Sequence, residues 1–366
     1  MKLSAYYKSR GYRVLLSRDS SYVKADRYAA SAIFATGKTV RKVAALESIY
    51  GSEINIGGSG VSLKKRLDPA VESCFPDYGL YRHNRYAIGY LTRGCNKRCP
   101  FCIVPQKEGR VSRRVASFDD FVPKGQRRVM LLDDNLLSCP GAEELLAEMH
   151  LRRYSVNFNQ SLDIAYLNGR TFRLLEKIDS RNARFTKRMF YFACNGTNDI
   201  NMFVERRDLL QRFGEDCVTV LTLYGFNTRL SEDYRRFLML RRLRLIPFFL
   251  EYQPVADVAA RVPEDFFDMD LDALIRLTFR SNGQNWEKYL RWVSRLYFLT
   301  FGRLYLPLLK IIYRYNRKEN IRKFLDRPEL LTSELYRTYE KLPDPDSRIA
   351  QLANGTAKRS RRRARS

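Results

Sequence analysis

A chain of 366 residues with 45% hydrophobic composition can bury a sizeable core, which excludes a wholly disordered polyelectrolyte and suggests two domains or one large domain with extensions. Its formal charge of +26 favours polyanions such as nucleic acid or an anionic membrane surface, without naming a substrate. Six of those charges lie in the run from Lys358 to Arg365, which reads equally as a solubilising tail or a nucleic-acid arm.

No long apolar run opens the chain, and the most apolar late stretch, Leu296 to Ile312, is broken by Arg303, Pro307 and Lys310. Neither a signal peptide nor a membrane span is therefore expected, and the expected location is a reducing cytoplasm.

Leu3 to Ser9 reads as a short helix stopped at Gly11, followed by strand candidates at Tyr12 to Leu16 and Tyr28 to Phe34. A helix from Val40 to Tyr50, ended by Gly51, leads to a strand from Glu53 to Ile56 and then to Gly57-Gly58-Ser59-Gly60. Those glycines would let backbone N–H groups approach a phosphate or another segment, and packing against the core is the preferred reading. Pro76 to Tyr81 marks a linker, because proline and glycine interrupt both periods there.

Apolar β-rich runs then begin at Tyr86, Arg128, Ser155, Met189, Cys217 and Ile246, with helical patterns at Glu143 to Leu151, Tyr166 to Ile178, Met202 to Phe213 and Glu232 to Leu243. Such alternation implies βαβ units and a parallel sheet, and six units make a partial (β/α)6 barrel. In such a barrel the chemistry sits past the carboxyl ends of the strands. Polar residues stand there: Asp133-Asp134-Asn135, Asn159-Gln160 with Asp163 close by, Asn195, Asn227, and Glu251-Tyr252-Gln253. After Pro254 the pattern becomes helical, basic and aromatic, at Leu271 to Arg280, Trp286 to Leu299, Leu304 to Tyr315 and Glu329 to Leu342. Trp286, Tyr289, Trp292 and Tyr297 either cover the open side of the barrel or stack on nucleic-acid bases, the first being preferred.

The first run ends at Thr92-Arg93 and enters Gly94-Cys95-Asn96-Lys97-Arg98-Cys99-Pro100-Phe101-Cys102, with cysteines at relative positions 1, 5 and 8. A structural zinc site normally takes four protein ligands in separated pairs, whereas three thiolates can hold three irons of a 4Fe-4S cluster and leave the fourth open. A zinc loop with a distant fourth ligand, or a chance cluster, are the alternatives. Gly94 permits a sharp turn, and Lys97 and Arg98 either balance an anionic cluster or are solvated. Cys74, Cys139, Cys194 and Cys217 lack ligand spacing and read as buried thiols.

The order Cys-x3-Cys-x2-Cys, with Phe101 just before the third cysteine, resembles the signature of the radical S-adenosylmethionine (SAM) superfamily. The resemblance implies that Cys95, Cys99 and Cys102 ligate a 4Fe-4S cluster whose open iron is chelated by the amino and carboxylate groups of SAM. Reductive cleavage would then give a 5'-deoxyadenosyl radical that abstracts hydrogen from a substrate the sequence does not assign. A low-potential electron donor such as flavodoxin or ferredoxin would be the partner. Phe101 would lie beside the adenine. The Gly-Gly-Glu motif usual at the end of strand two is replaced by Asp134 and Asn135, which can still accept hydrogen bonds from an ammonium. Asn159, Gln160, Asp163, Asn195 and Asn227 become candidates for the SAM carboxylate, the ribose hydroxyls or the substrate, each equally readable as a turn or capping residue.

Residues 1–80 resemble the cobalamin-binding-like domain that precedes many such cores, here truncated. Only His83 and His150 occur, neither in a context to ligate cobalt, so cobalamin is not expected. The expected plan is a truncated doubly wound α/β domain over 1–80, a radical SAM core over 81–255, a helical extension over 256–345 and a basic disordered tail over 346–366. A methylthiotransferase would need a second cluster, normally held by three N-terminal cysteines, and is disfavoured because Cys74 alone precedes the motif. The competing readings are a non-catalytic iron-sulfur or zinc protein that binds nucleic acid, and a radical SAM enzyme that modifies nucleic acid.

Overall fold

The computed structural model describes residues 1–17, 22–35 and 37–224, together with 226, 236, 239–240 and 242–251. The helices expected beyond Pro254, the basic tail, most of the expected helix from Glu232 to Leu243, and Asn227 lie outside the described residues. The chain divides into two units between Tyr191 and Phe192.

In the first unit, helix α1 (Lys2–Lys8) is followed by strand β1 (Tyr28–Ser31), helix α2 (Gly37–Tyr50) and strand β2 (Ile54–Gly57). β1 and β2 pair in parallel, Tyr28 opposite Ile54 and Ser31 opposite Gly57, so one βαβ unit is formed. The strand expected at Tyr12 to Leu16 does not form. Leu15 is 62% exposed, and among the described residues no strand pairs with this run, so its apolar side chains have nothing to bury against. The glycine loop packs as expected. Gly60 donates its N–H to the Ala32 carbonyl at 2.9 Å, and a Cβ at Gly58 (φ +96°) would meet that oxygen at 2.3 Å.

A short helix, α3 (Pro69–Glu72), capped by Asp68 on the Ala70 amide, precedes the expected linker. That segment is tied down instead. The Tyr78 hydroxyl donates to the Phe121 carbonyl at 2.7 Å and accepts the Ile88 amide at 3.0 Å, while Asp77 pairs with Lys8 and accepts from the Ser4 hydroxyl.

The main sheet of this unit holds strands β3 (Ala87–Gly89), β6 (Arg128–Leu131), β7 (Ser155–Phe158) and β8 (Asp179–Ser180), in that order and all parallel. Between β3 and β6 the chain adds a two-residue ribbon, β4 (Thr92–Arg93) with β5 (Arg113–Arg114), around a short helix α4 (Val104–Lys107). The run from Tyr86 is thus shorter than expected, its end peeling off into the ribbon. Helices α5 (Ala142–Leu151) and α6 (Gly169–Lys177) contact one another. α5 carries Glu143 and Glu144 in its first turn and His150 in its last, as the helix dipole favours. α6 begins later than expected because Asn168 caps it, its side-chain oxygen accepting the Arg170 and Thr171 amides.

Ala87, Leu91, Phe118, Val129, Leu131, Leu146, Val156, Phe158, Phe172 and Leu175 are all buried here. Each large apolar side chain so buried contributes about 1.5–3 kcal/mol, enough to hold the strand ends in fixed register.

The second unit contains strand β9 (Phe190–Ala193, which spans the division), helices α7 (Thr197–Glu205) and α8 (Arg207–Arg212), and strands β10 (Val218–Tyr224) and β11 (Ile246–Glu251). The sheet order is β11-β10-β9, and β10 and β11 are parallel. The single helix expected over Met202 to Phe213 is two, broken at Arg206 (φ −99°, ψ 13°). No helix among the described residues is long and apolar enough to cross a membrane.

Candidate metal centre

The cysteine segment starts where β3 stops being a sheet strand. In the ribbon Thr92 faces Arg114 and Arg93 faces Arg113, antiparallel, so the two ends of the loop are hydrogen-bonded to each other. The Cys95 amide adds a bond to the Gly109 carbonyl at 3.2 Å. Gly94 has φ +92°, and a Cβ there would lie 2.2 Å from the Val111 carbonyl oxygen, so only glycine fits. Its N–H donates to Asp134 Oδ2 at 2.9 Å.

Asp133 fastens the same junction from beneath. It is 5% exposed, and its Oδ1 accepts the Leu91 amide (3.1 Å), the Thr92 amide (2.6 Å) and the Thr92 hydroxyl (2.7 Å). Burial nonetheless outweighs these donors and pushes its carboxyl up to about 6. Asp134 is also raised, by burial first, with the Glu108 charge adding to it. Arg93 is held between Glu72 (2.8 Å) and Glu108 (3.3 Å) and lies over the Tyr90 ring.

Within the loop the Cys102 amide donates to the Cys99 carbonyl at 3.0 Å, and the Val104 amide donates to Cys102 Sγ at 3.5 Å. Asn135 Nδ2 donates to Cys95 Sγ at 3.4 Å and to Asp163 Oδ2 at 3.0 Å. Asp163 Oδ1 pairs with Lys97 Nζ at 2.9 Å, and Asn96 reaches the Tyr166 hydroxyl. Four side chains from three parts of the chain thus form one line: Cys95, Asn135, Asp163, Lys97. Asn135 is 4% exposed, and its Oδ1 is buried with no hydrogen-bond partner.

The expected site residues therefore separate. Cys95, Cys99, Phe101 and Cys102 share the loop and are half-buried, and Asp134, Asn135 and Asp163 converge on it from the strand ends. Asn159 and Gln160 are exposed just past β7. Asn195 lies in the second unit, where its side-chain oxygen accepts the Leu223 amide at 3.3 Å, a strand-bridging contact. Asn227 is outside the described residues. Sequence reasoning left unassigned Asp133, Thr92, Arg93 and Glu108, which fix the loop's two ends. Their only local signal is polarity beside an apolar run.

Among the described residues no three His, Cys, Asp or Glu side chains are grouped to hold one metal ion. The donor chemistry still suits an iron-sulfur cluster. Three thiols sit on one loop, and two of their sulfurs, on Cys95 and Cys102, receive N–H donors of the kind that favour cluster thiolates, while burial pushes the Cys102 thiol up.

No family model matches the chain. It is 29% identical to the ribosomal protein uS12 methylthiotransferase RimO of Ralstonia pickettii over 111 residues, which are 30% of this chain and 22% of that protein. The protein of the same name from Xanthomonas campestris pv. campestris is 38% identical over 69 residues, 19% of this chain and 14% of its own length. That of Ralstonia nicotianae is 29% identical over 111 residues, 30% and 22% of the two chains. The chain thus matches about a fifth or less of each relative. The likeness is therefore to a limited part of proteins named as methylthiotransferases. The match spans too little of these relatives to carry their named activity across.

Proposed function

We propose that this chain is a radical SAM enzyme in which Cys95, Cys99 and Cys102 hold a 4Fe-4S cluster and the neighbouring strand ends hold SAM. The observation that carries the reading is the cysteine loop itself, tied off by the β4–β5 ribbon at the end of the first core strand, with donors on two of its sulfurs. The cluster, when bound, supplies the electron that cleaves the SAM sulfonium. Asp134 keeps Oδ2 on the Gly94 amide, leaving Oδ1 to accept from the SAM ammonium. Phe101 offers a ring edge for the adenine, and the exposed Asn159 and Gln160 offer amides for hydroxyls or substrate. The electron would come from a low-potential donor of the flavodoxin or ferredoxin kind, in a reducing cytoplasm. A partial (β/α)6 barrel remains part of the reading, supported by the parallel pairing of β3, β6, β7 and β8 and of β10 with β11.

The test is anaerobic reconstitution followed by chemical reduction in the presence of SAM. Formation of 5'-deoxyadenosine, lost in Cys95→Ala, is expected. Reconstituted protein that binds only zinc, or that holds a cluster and never cleaves SAM, sinks the enzyme reading.

A second reading concerns the substrate. The +26 charge favours a nucleic acid, whereas the relatives are named for a ribosomal protein. Binding of RNA that weakens steeply with added salt supports the former, and methylthiolation of a ribosomal protein supports the latter.

A further inference from the structure

The Asn135 side chain divides its two ends: the amide nitrogen meets Cys95 and Asp163, while Oδ1 has no hydrogen-bond partner. We infer that Asn135 is a positioning residue that sets the reduction potential of the cluster, by donating an N–H···S hydrogen bond to Cys95; this rests on the cluster reading above.

The orientation of the amide follows from its partners. Asp163 is paired with Lys97 at 2.9 Å and also accepts the Ala165 amide at 3.1 Å, so its oxygens act as acceptors. An acceptor 3.0 Å from the Asn135 amide requires the NH2 end to face it. The same nitrogen then has its second hydrogen for Cys95 Sγ at 3.4 Å. The backbone is fixed as well. The Asn135 carbonyl accepts the Ser112 hydroxyl (3.1 Å) and the Ser138 hydroxyl (3.0 Å), which ties the residue to the segment entering β5. Asn135 is buried, so water does not compete for its amide hydrogens. Neither aspartate, which lacks the donor, nor leucine, which lacks both polar atoms, can make this pair of contacts.

Reducing a cluster adds negative charge that its thiolate ligands share, so a buried donor on one sulfur stabilises the reduced state more than the oxidised state. Hydrogen bonds to sulfur are a recognised lever on such potentials. Lys97 and Asp163 act through Asn135: they hold the amide, and the amide touches the sulfur.

The experiment is a potentiometric titration followed by electron paramagnetic resonance, on full-length anaerobically reconstituted protein without SAM, comparing wild type with Asn135→Leu and Asn135→Asp. Loss of one charge-assisted hydrogen bond should lower the reduced-to-oxidised ratio at the wild-type midpoint by about fivefold in Asn135→Leu. Asn135→Asp should shift at least as far in the same direction. Iron content per folded chain should stay at the wild-type level. If Asn135→Leu fails to fold, by circular dichroism, Asn135→Asp carries the comparison alone. Variant clusters that titrate at the wild-type potential overturn the inference and leave the cluster reading standing. Variants that fold but take up no iron also overturn it, because the residue then serves assembly. Wild-type protein that forms no 4Fe-4S cluster overturns both.

Discussion

Asp133 Oδ1 accepts the Thr92 amide at 2.6 Å and the Thr92 hydroxyl at 2.7 Å, across 41 residues of sequence. This buried pair joins the end of β6 to the start of the ribbon that carries the cysteines. Removing the carboxylate in Asp133→Ala strands the Leu91 and Thr92 donors away from water. A stability loss of about 3 kcal/mol is expected, read as a lower urea midpoint with an unchanged slope. A loss below about 0.5 kcal/mol would show that the junction holds without it.

The same group predicts a pH dependence. Its folded value of about 6 lies above the ordinary carboxylate value near 3.8, so the folded chain binds the proton more tightly than the unfolded chain. Its contribution is fully present below the unfolded value and is lost as pH rises through the folded one. The stability of wild type relative to the non-titrating Asp133→Asn should therefore increase by about 2 kcal/mol as pH falls from 7 to 4. A difference that stays flat across that window would place the titration elsewhere.

Gly94→Ala should cost about 3 kcal/mol, because alanine resists a φ of +92° and its methyl would lie 2.2 Å from the Val111 carbonyl. Since the strain falls on the ribbon, iron uptake should drop together with thermal stability. Full iron content with wild-type melting would contradict the geometry.

Phe172→Ala provides the contrast. Its ring is fully buried in α6, so about 3–5 kcal/mol should be lost to the cavity and the missing contacts. Chains that remain folded at low temperature should still bind wild-type iron, which iron analysis on the folded fraction would check.

Much of this architecture was legible because it is written locally. β7 was read over its full span of Ser155–Phe158 and β6 within one residue, since short apolar β-branched and aromatic runs bounded by polar residues admit few alternatives. The Cys-x3-Cys-x2-Cys spacing is likewise local. β8 escaped because two residues carry no period, and Tyr12 to Leu16 forms no strand because a short apolar run without a partner strand is not one. The start of α6 was legible in principle, for Asn168-Gly169 is a capping signal read too early. Asn135 stands at the strand end where the sequence puts it, and what the sequence does not give is that its amide nitrogen meets Cys95. Its contacts with Cys95 and Asp163 span 40 and 28 residues, and no local pattern specifies which of several rim amides meets a sulfur.

The ribbon that closes the cysteine loop has a bearing on its geometry. Its ends are bonded backbone to backbone, Thr92 to Arg114 and Arg93 to Arg113, and its turn is set by Gly94. In small zinc domains metal binding and folding are one event. Here the chain's own hydrogen bonds join the two ends of the loop, so the register of two short strands decides how far apart the ends of the cysteine segment lie.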